Sequence, residues 1–284
     1  MKFCFNNKQT ENKNIVIIMA GGLGKRMKSK VPKVLHQVGG VPMLARIIEQ
    51  AILTNPEKIF VVVGKYKPMI EESLSYILQK YNKDNSDSTL IEFVFQSESM
   101  GTGHAARCCE YAWIPFLRQG YRVLIMAGDT PLISAETMQD LFKKFGGGSG
   151  AFGACCNNQH LCITTTELKN PSGYGRIIRD PLDGNKFLEI VEEKDCLEHE
   201  KLINEINCGI YVFELDILNK YIRKLTCENA QKEYYLTDIV KIIKDGEKLN
   251  NIPTLKIPEG NQLEIYGVNT REQLDYLNSF FSKS

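Results

Sequence analysis

The sequence predicts an α/β protein, a doubly wound, mostly parallel mixed sheet with helices on both faces. Three observations predict it. Several apolar runs are continuous, as in strands covered on both faces; amphipathic stretches at helical spacing fall between them; and glycines with charged or amide side chains gather just after the strand ends, where open α/β sheets bind ligands.

Residues 1–13 read as a polar tail, and residues 14–20, with Ile15, Val16, Ile17 and Ile18 in one run, as the first strand. A helix is expected over 43–53. "KIFVVVG" (58–64) is the second strand, and 68–78 an amphipathic helix in which Ile70, Leu74 and Ile77 oppose Glu71 and Glu72. "LIEFVFQ" (90–96) is a third strand, "GHAARCCEYA" (103–112) a helix, and "YRVLIMAGD" (121–129) a fourth strand. A further helix over 134–145 starts at Ser134, with Glu136 in its first turn.

Past "GGGSG" (146–150) the character changes. Short β-like runs follow at 151–156, 161–166, 176–179, 187–191 and 208–213, and helices return near 215–224, 236–244 and 271–281. The expected organisation is one domain over 14–284. A nucleotide-binding half covers about 14–145, and a second, β-rich half, about 146–284, completes the same sheet and supplies a second ligand. No solenoid repeat or extended low-complexity segment is present.

Composition narrows the partners. With 35 basic against 34 acidic residues the net charge is +1, so no global field favours nucleic acid or an anionic membrane. No apolar run approaches the roughly 20 residues of a membrane span, and the N-terminus is too polar for a signal peptide. Nine cysteines without Cys-x-x-Cys spacing point to a reduced, cytoplasmic chain whose thiols act as small hydrophobes.

The unusual residues sit after strands: Gly21, Gly22 and Gly24 after the first, Gln96 after the third, Gly128 and Asp129 after the fourth. Glycines let backbone N–H groups approach phosphate oxygens, and Arg26 and Lys33 can neutralise their charge. A Walker loop is absent, because Gly24-Lys25 is followed by Arg26. By residue type alone, Lys25, Lys28 and Lys30 make a solvated basic face, Asp129 a turn residue, and Thr102 a helix cap.

The blocks "MAGGLGKRM" with its Pro32-Lys33 step, "QSESMGTGHAA", "GDTPLI", "NPSGYGRIIR", "EIVEEKD", "EINCGIYVF", "NAQKEYYLTDIV" and "YGVNTREQL" occur in order over about 14–274. Together they resemble the sugar-phosphate nucleotidyltransferases, and most closely the uridyltransferase domain of bacterial bifunctional N-acetylglucosamine-1-phosphate uridyltransferases.

The resemblance implies a Rossmann-like fold with a β-rich sugar-binding insertion. It also implies transfer of UMP from UTP onto N-acetylglucosamine 1-phosphate, with release of pyrophosphate and dependence on Mg²⁺. Arg26 and Lys33 match the catalytic cations. Met19, Ala20, Gly21, Gly22, Gly24, Gln96, Gly101, Thr102 and Gly128 match nucleotide-binding positions; Gly175, Glu192 and Asn207 match sugar contacts; Asp129 and Asn269 match the metal pair. His104 is expected to be a packing neighbour of that site, since the reaction requires no strong base.

Several positions depart from the bacterial pattern: Leu23 for a common Lys, Lys25 for Thr, Glu193 for His, Cys208 for Thr, and a longer "DPLDGN" (180–185), read as a hairpin turn. "EYYLTD" (233–238) has an equally good structural reading, as a helix start with tyrosines packed beneath. The chain carries no hexapeptide repeats, so acetyl transfer is not expected, and a monomer or small homo-oligomer replaces the usual trimer. The alternatives are the same chemistry on another sugar 1-phosphate or with dTTP, and a catalytically silent nucleotide-sugar sensor. A nicotinamide-dependent oxidoreductase ranks last, because Gly64-Lys65 stands where an acidic ribose contact is needed.

Overall fold

The computed structural model describes residues 13–22, 24–82, 89–146 and 159–282. Residues 1–12 of the polar tail, Leu23, the loop past Gly146, the strand expected over 151–156, and Cys4, Cys155 and Cys156 lie outside the described residues.

Strand β1 (Asn14–Met19) is followed by a small hairpin of β2 (Gln37–Val38) and β3 (Val41–Pro42), then helix α1 (Met43–Ile52) and β4 (Lys58–Val63). Next come α2 (Lys67–Ser73), α3 (Ser75–Tyr81), β5 (Ile91–Phe95), α4 (Thr102–Arg107), β6 (Arg122–Ala127) and α5 (Ala135–Phe145). The remainder is β7 (Leu161–Glu167), β8 (Arg176–Arg179), β9 (Phe187–Val191), β10 (Glu205–Glu214), α6 (Leu215–Tyr221), α7 (Asp238–Gly246), β11 (Thr254–Lys256) and α8 (Arg271–Ser279).

The main sheet runs β11-β7-β10-β6-β1-β4-β5, with β8 and β9 forming a hairpin attached to β10. β1 lies parallel to β4 and β6, and β4 to β5, whereas β10 runs antiparallel to both β6 and β7. From β1 the chain moves out through β4 and β5, then returns to place β6 on the other side of β1. That reversal opens the crevice at which ligands of such sheets bind.

The continuous apolar runs have the expected cause. Ile15 and Ile17 face one layer and Val16 and Ile18 the other, all fully buried. One layer is made by α1, α2, α3 and α5, through Leu44, Ile47, Ile70, Leu74, Met138 and Leu141. The other is made by α4, α6 and α7, through Ala105, Leu218, Ile239 and Ile243. Each such Leu, Ile or Met side chain contributes about 1.5–3 kcal/mol by leaving water.

Three local expectations need correction. The helix expected over 68–78 is two helices, broken at Leu74 (φ −100°, ψ 7°), with Ile70, Leu74 and Ile77 all buried in the core as the spacing predicts. The helix expected over 103–112 ends regular hydrogen bonding at Arg107 and continues as looser turns to a 3-10 turn at Ile114–Phe116, where Pro115 lacks an N–H to extend it. The strand expected over 208–213 begins earlier and carries a bulge between Asn207 and Tyr211, made possible by Gly209 in the left-handed region (φ 71°).

Candidate active site

β1 ends between β4 and β6, and the backbone ties the strand ends together. Ala20 N–H donates to Val62 C=O at 2.7 Å, and Gly128 N–H to Met19 C=O at 2.9 Å. Gly21 then passes beneath the amide of Gln96: a Cβ there would lie 2.6 Å from Gln96 Oε1. Gln96 itself is buried, with Nε2 donating to Gly101 C=O at 3.4 Å and standing 3.1 Å from His104 Nδ1.

Gly24 takes φ +57°, and a Cβ on it would lie 2.6 Å from Lys33 Cβ. This close approach turns the chain over Lys33, which caps nothing and leans instead across the sheet end. Its Nζ forms an ion pair with the Asp129 carboxylate and donates to Asn269 Oδ1 at 2.9 Å. Arg26, one short 3-10 turn after Gly24, is exposed, as are Lys28 and Lys30. Exposure leaves the Arg26 guanidinium accessible to an anionic ligand, but among the described residues no hydrogen bond or ion pair joins it to the Lys33 group.

Asn269 reaches Asp129 because Val268 N–H donates to Asp129 C=O at 2.9 Å. It is held there by α8, whose first turn is a capping box: Thr270 Oγ1 accepts from Gln273 N–H, and Gln273 Oε1 accepts from the Asn269 and Thr270 N–H groups. Two hard oxygens from distant parts of the chain thus converge on one cation.

A second cluster forms where the β8–β9 hairpin meets β10. Asn207 N–H donates to Gly175 C=O at 2.8 Å. A Cβ on Gly175 would lie 3.6 Å from Glu192 Oε2, so Gly175, Glu192 and Asn207 are neighbours. Asn207 Nδ2 donates to the buried Tyr211 hydroxyl at 2.6 Å, while its Oδ1 accepts from Gly209 N–H. Burial raises the Glu192 carboxyl above the ordinary range, partly opposed by a hydrogen bond from Thr237 Oγ1 at 2.9 Å. Thr237 precedes α7 but makes no side-chain cap.

The segment "EYYLTD" bridges the two clusters. Tyr234 C=O accepts from Gly103 N–H at 2.7 Å and Leu236 N–H donates to Thr102 Oγ1 at 3.0 Å, while Thr237 holds Glu192. Thr102 is therefore the first helical residue, and Gly101 rather than Thr102 occupies the cap position. Sequence reasoning missed Tyr234 and Thr237 as structural links. It also missed the fully buried Arg176, which pairs with Glu193 at 2.7 Å immediately beyond Gly175 and Glu192. The only available signal was Glu193 itself, an extra carboxylate at a departing position.

Comparison with known proteins follows the same lines. Residues 16–181 match the model of the MobA-like NTP transferase domain. The chain belongs to that family. This nucleotidyltransferase is 40% identical over 269 residues to a protein of Acanthamoeba polyphaga mimivirus named "Probable UDP-N-acetylglucosamine pyrophosphorylase", covering 94% of this chain and 96% of that one. It is 38% identical to the "Bifunctional protein GlmU" of Caldanaerobacter subterraneus, over 92% of this chain but 50% of the relative. The chain thus spans about half the length of its GlmU relatives. Among solved structures, a UDP-glucose pyrophosphorylase complexed with UDP-glucose superposes with a TM-score of 0.65 at 16% identity, covering 95% of this chain and 99% of that one, a likeness of fold alone.

Nucleotidyltransferases of this kind depend on a divalent cation. The Asp129 and Asn269 oxygens fit one, because both already point at a single positive charge and both are hard donors. No group of three or more His, Cys, Asp or Glu able to hold a metal occurs among the described residues. Among the described residues no helix is long and apolar enough to cross a membrane.

Proposed function

We propose that this chain transfers UMP from UTP to N-acetylglucosamine 1-phosphate, releasing pyrophosphate, with Mg²⁺ as the cation. The observation that carries this reading is the 40% identity, over nearly the whole of both chains, to a protein named for UDP-N-acetylglucosamine pyrophosphorolysis. The arrangement of Lys33, Asp129 and Asn269 at the sheet end, with Gln96 nearby, supports it.

An oxygen of the sugar phosphate attacks the α-phosphorus in line. The new O–P bond forms as the bond from the α-phosphorus to the bridging oxygen breaks, and pyrophosphate leaves with the electron pair. No proton transfer is needed, so the protein's work is positioning and charge neutralisation.

In this reading Met19, Ala20, Gly21, Gly22, Gly24 and Gly128 line the nucleotide with close backbone, and Gln96, Gly101 and Thr102 hold the uracil. Gly175, Glu192 and Asn207 bind the sugar. Arg26 and Lys33 take up charge on the departing pyrophosphate. Asp129 and Asn269 would hold Mg²⁺, which when bound neutralises phosphate charge and orients the reacting oxygens. The halves at about 14–145 and 146–284 then divide the substrates between them, within a cytoplasmic enzyme.

A matrix of sugar 1-phosphates against UTP, dTTP, CTP and ATP, scored by pyrophosphate release, tests the reading. N-acetylglucosamine 1-phosphate with UTP is expected to have the highest kcat/KM. Another best pair overturns the assignment, and binding of UDP-N-acetylglucosamine without turnover in Mg²⁺ replaces the enzyme by a sensor.

A further inference from the structure

We infer that His104 is a positioning residue that makes the site selective for uracil over cytosine, by fixing which end of the Gln96 amide faces the base. The inference deepens the proposed function and rests on Gln96 being its base contact.

The physical basis is a donor–acceptor count. Gln96 Nε2 has two hydrogens and no available lone pair. One points towards Gly101 C=O, which can only accept, at 3.4 Å. That carbonyl favours the same amide orientation but, at 3.4 Å, holds it more weakly than the histidine at 3.1 Å does. The other lies toward His104 Nδ1 at 3.1 Å. An amide N–H there requires a lone pair on Nδ1, hence the tautomer protonated on Nε2.

With both hydrogens engaged, Gln96 has only Oε1 left to offer. Oε1 lies over Gly21, 2.6 Å from where a Cβ on that residue would be, on the glycine stretch after β1. Uracil presents an N–H donor at N3 between two carbonyl acceptors, so it complements an oxygen. Cytosine presents a lone pair at N3 and is met by repulsion between two acceptors. Thymine shares the uracil edge, so the same device does not separate UTP from dTTP.

His104 is well placed to hold this state. It lies on α4 one turn from Gly101, it is half-buried, and its ring packs 6.2 Å from that of Tyr234, over which Arg107 sits at 4.8 Å. Tyr234 is in turn strapped to the same loop through Gly103 and Met100. A group that only filled space would not need to place a ring nitrogen on the amide.

The decisive measurement is the ratio of kcat/KM for UTP to that for CTP, with N-acetylglucosamine 1-phosphate saturating. Because both substrates are read in one preparation, the ratio is independent of how much enzyme is active. His104→Leu removes the acceptor and frees the amide to turn, and the ratio is expected to fall roughly 10- to 100-fold. His104→Asn, whose Oδ1 can replace Nδ1, is expected to keep the ratio within about threefold of wild type. Equal losses with UTP and CTP in His104→Leu overturn the inference and leave His104 as packing.

¹⁵N NMR of histidine-labelled wild-type enzyme at neutral pH, with His104→Asn for assignment, gives a second readout that needs no His104→Leu protein. An unprotonated Nδ1 on His104 is expected, and a protonated Nδ1 overturns the inference. If wild-type enzyme does not prefer UTP with N-acetylglucosamine 1-phosphate, the proposed function itself fails. A UTP preference that ignores His104 sinks only the inference.

Discussion

Lys33 Nζ donates to Asn269 Oδ1 at 2.9 Å, a contact across 236 positions of sequence, and the same ammonium pairs with Asp129. If Asp129 and Asn269 hold a divalent cation, as proposed, the Lys33 ammonium competes with it for the same two oxygens. Lys33→Met is therefore expected to act in opposite directions on two measurements. Turnover falls about 100- to 1,000-fold through lost charge neutralisation, while Mn²⁺ affinity without nucleotide, followed by electron paramagnetic resonance, rises.

Asp129→Ala removes the only carboxylate of the pair. Metal-dependent turnover is expected to be lost while the fold persists, since the Asp129 backbone carbonyl, not its side chain, holds Val268. Near-normal rates at saturating Mg²⁺, with an unchanged far-ultraviolet circular dichroism spectrum, would take Asp129 out of the metal site.

Gly24→Ala meets both a left-handed backbone and the Cβ of Lys33, which cannot swing away as a side-chain end could. The expected cost is about 1–2 kcal/mol in urea unfolding. The KM for UTP should rise as Lys33 is displaced. A variant as stable and active as wild type would show that the loop relaxes freely.

Glu192 couples stability to pH. Burial raises its carboxyl in the folded chain, so its contribution to stability is full below the unfolded carboxylate pKa, about 4.3, and is lost as pH rises through the higher folded value. Glu192→Gln should consequently be more stable than wild type near pH 7.5, and the gap should close towards pH 4, as read by thermal unfolding. The same variant is expected to bind the sugar phosphate more weakly, a trade of function for stability.

Arg176 is 1% exposed and reaches Glu193 together with the carbonyls of Tyr174 and Lys201. Arg176→Met leaves those acceptors unpaired and is expected to cost about 3 kcal/mol. Glu193→Gln retains an acceptor and is expected to cost about 1 kcal/mol. Urea unfolding curves give both values, and the reverse order would count against the pair as the clamp beneath Gly175 and Glu192.

Legibility followed the range of the interactions. β1, β4 and β6 were readable because every residue in Ile15–Ile18 or its counterparts is buried, and the Ser134 cap was readable because its partner Thr137 is three residues away. β2, β3 and β11 were not, being two or three residues long and carrying no period. The break at Leu74 also left no mark, since a kinked and a straight helix bury the same spacing. Of the site, the resemblance supplied the residues, and their contacts came only with the fold. Thr237 meets Glu192 across 45 positions and Leu236 meets Thr102 across 134. Neither pairing leaves a periodic trace.

Strand β10 lies between β6 and β7 and is made after both. During synthesis, β6 therefore emerges with one edge unpaired, and it waits for roughly 80 more residues before Tyr211 and Phe213 can close it. At about 5–20 residues per second that is several seconds or more with an open hydrophobic strand. The nascent chain's dependence on chaperones should be greatest in that interval, and a ribosome stalled before residue 205 should release an aggregation-prone product.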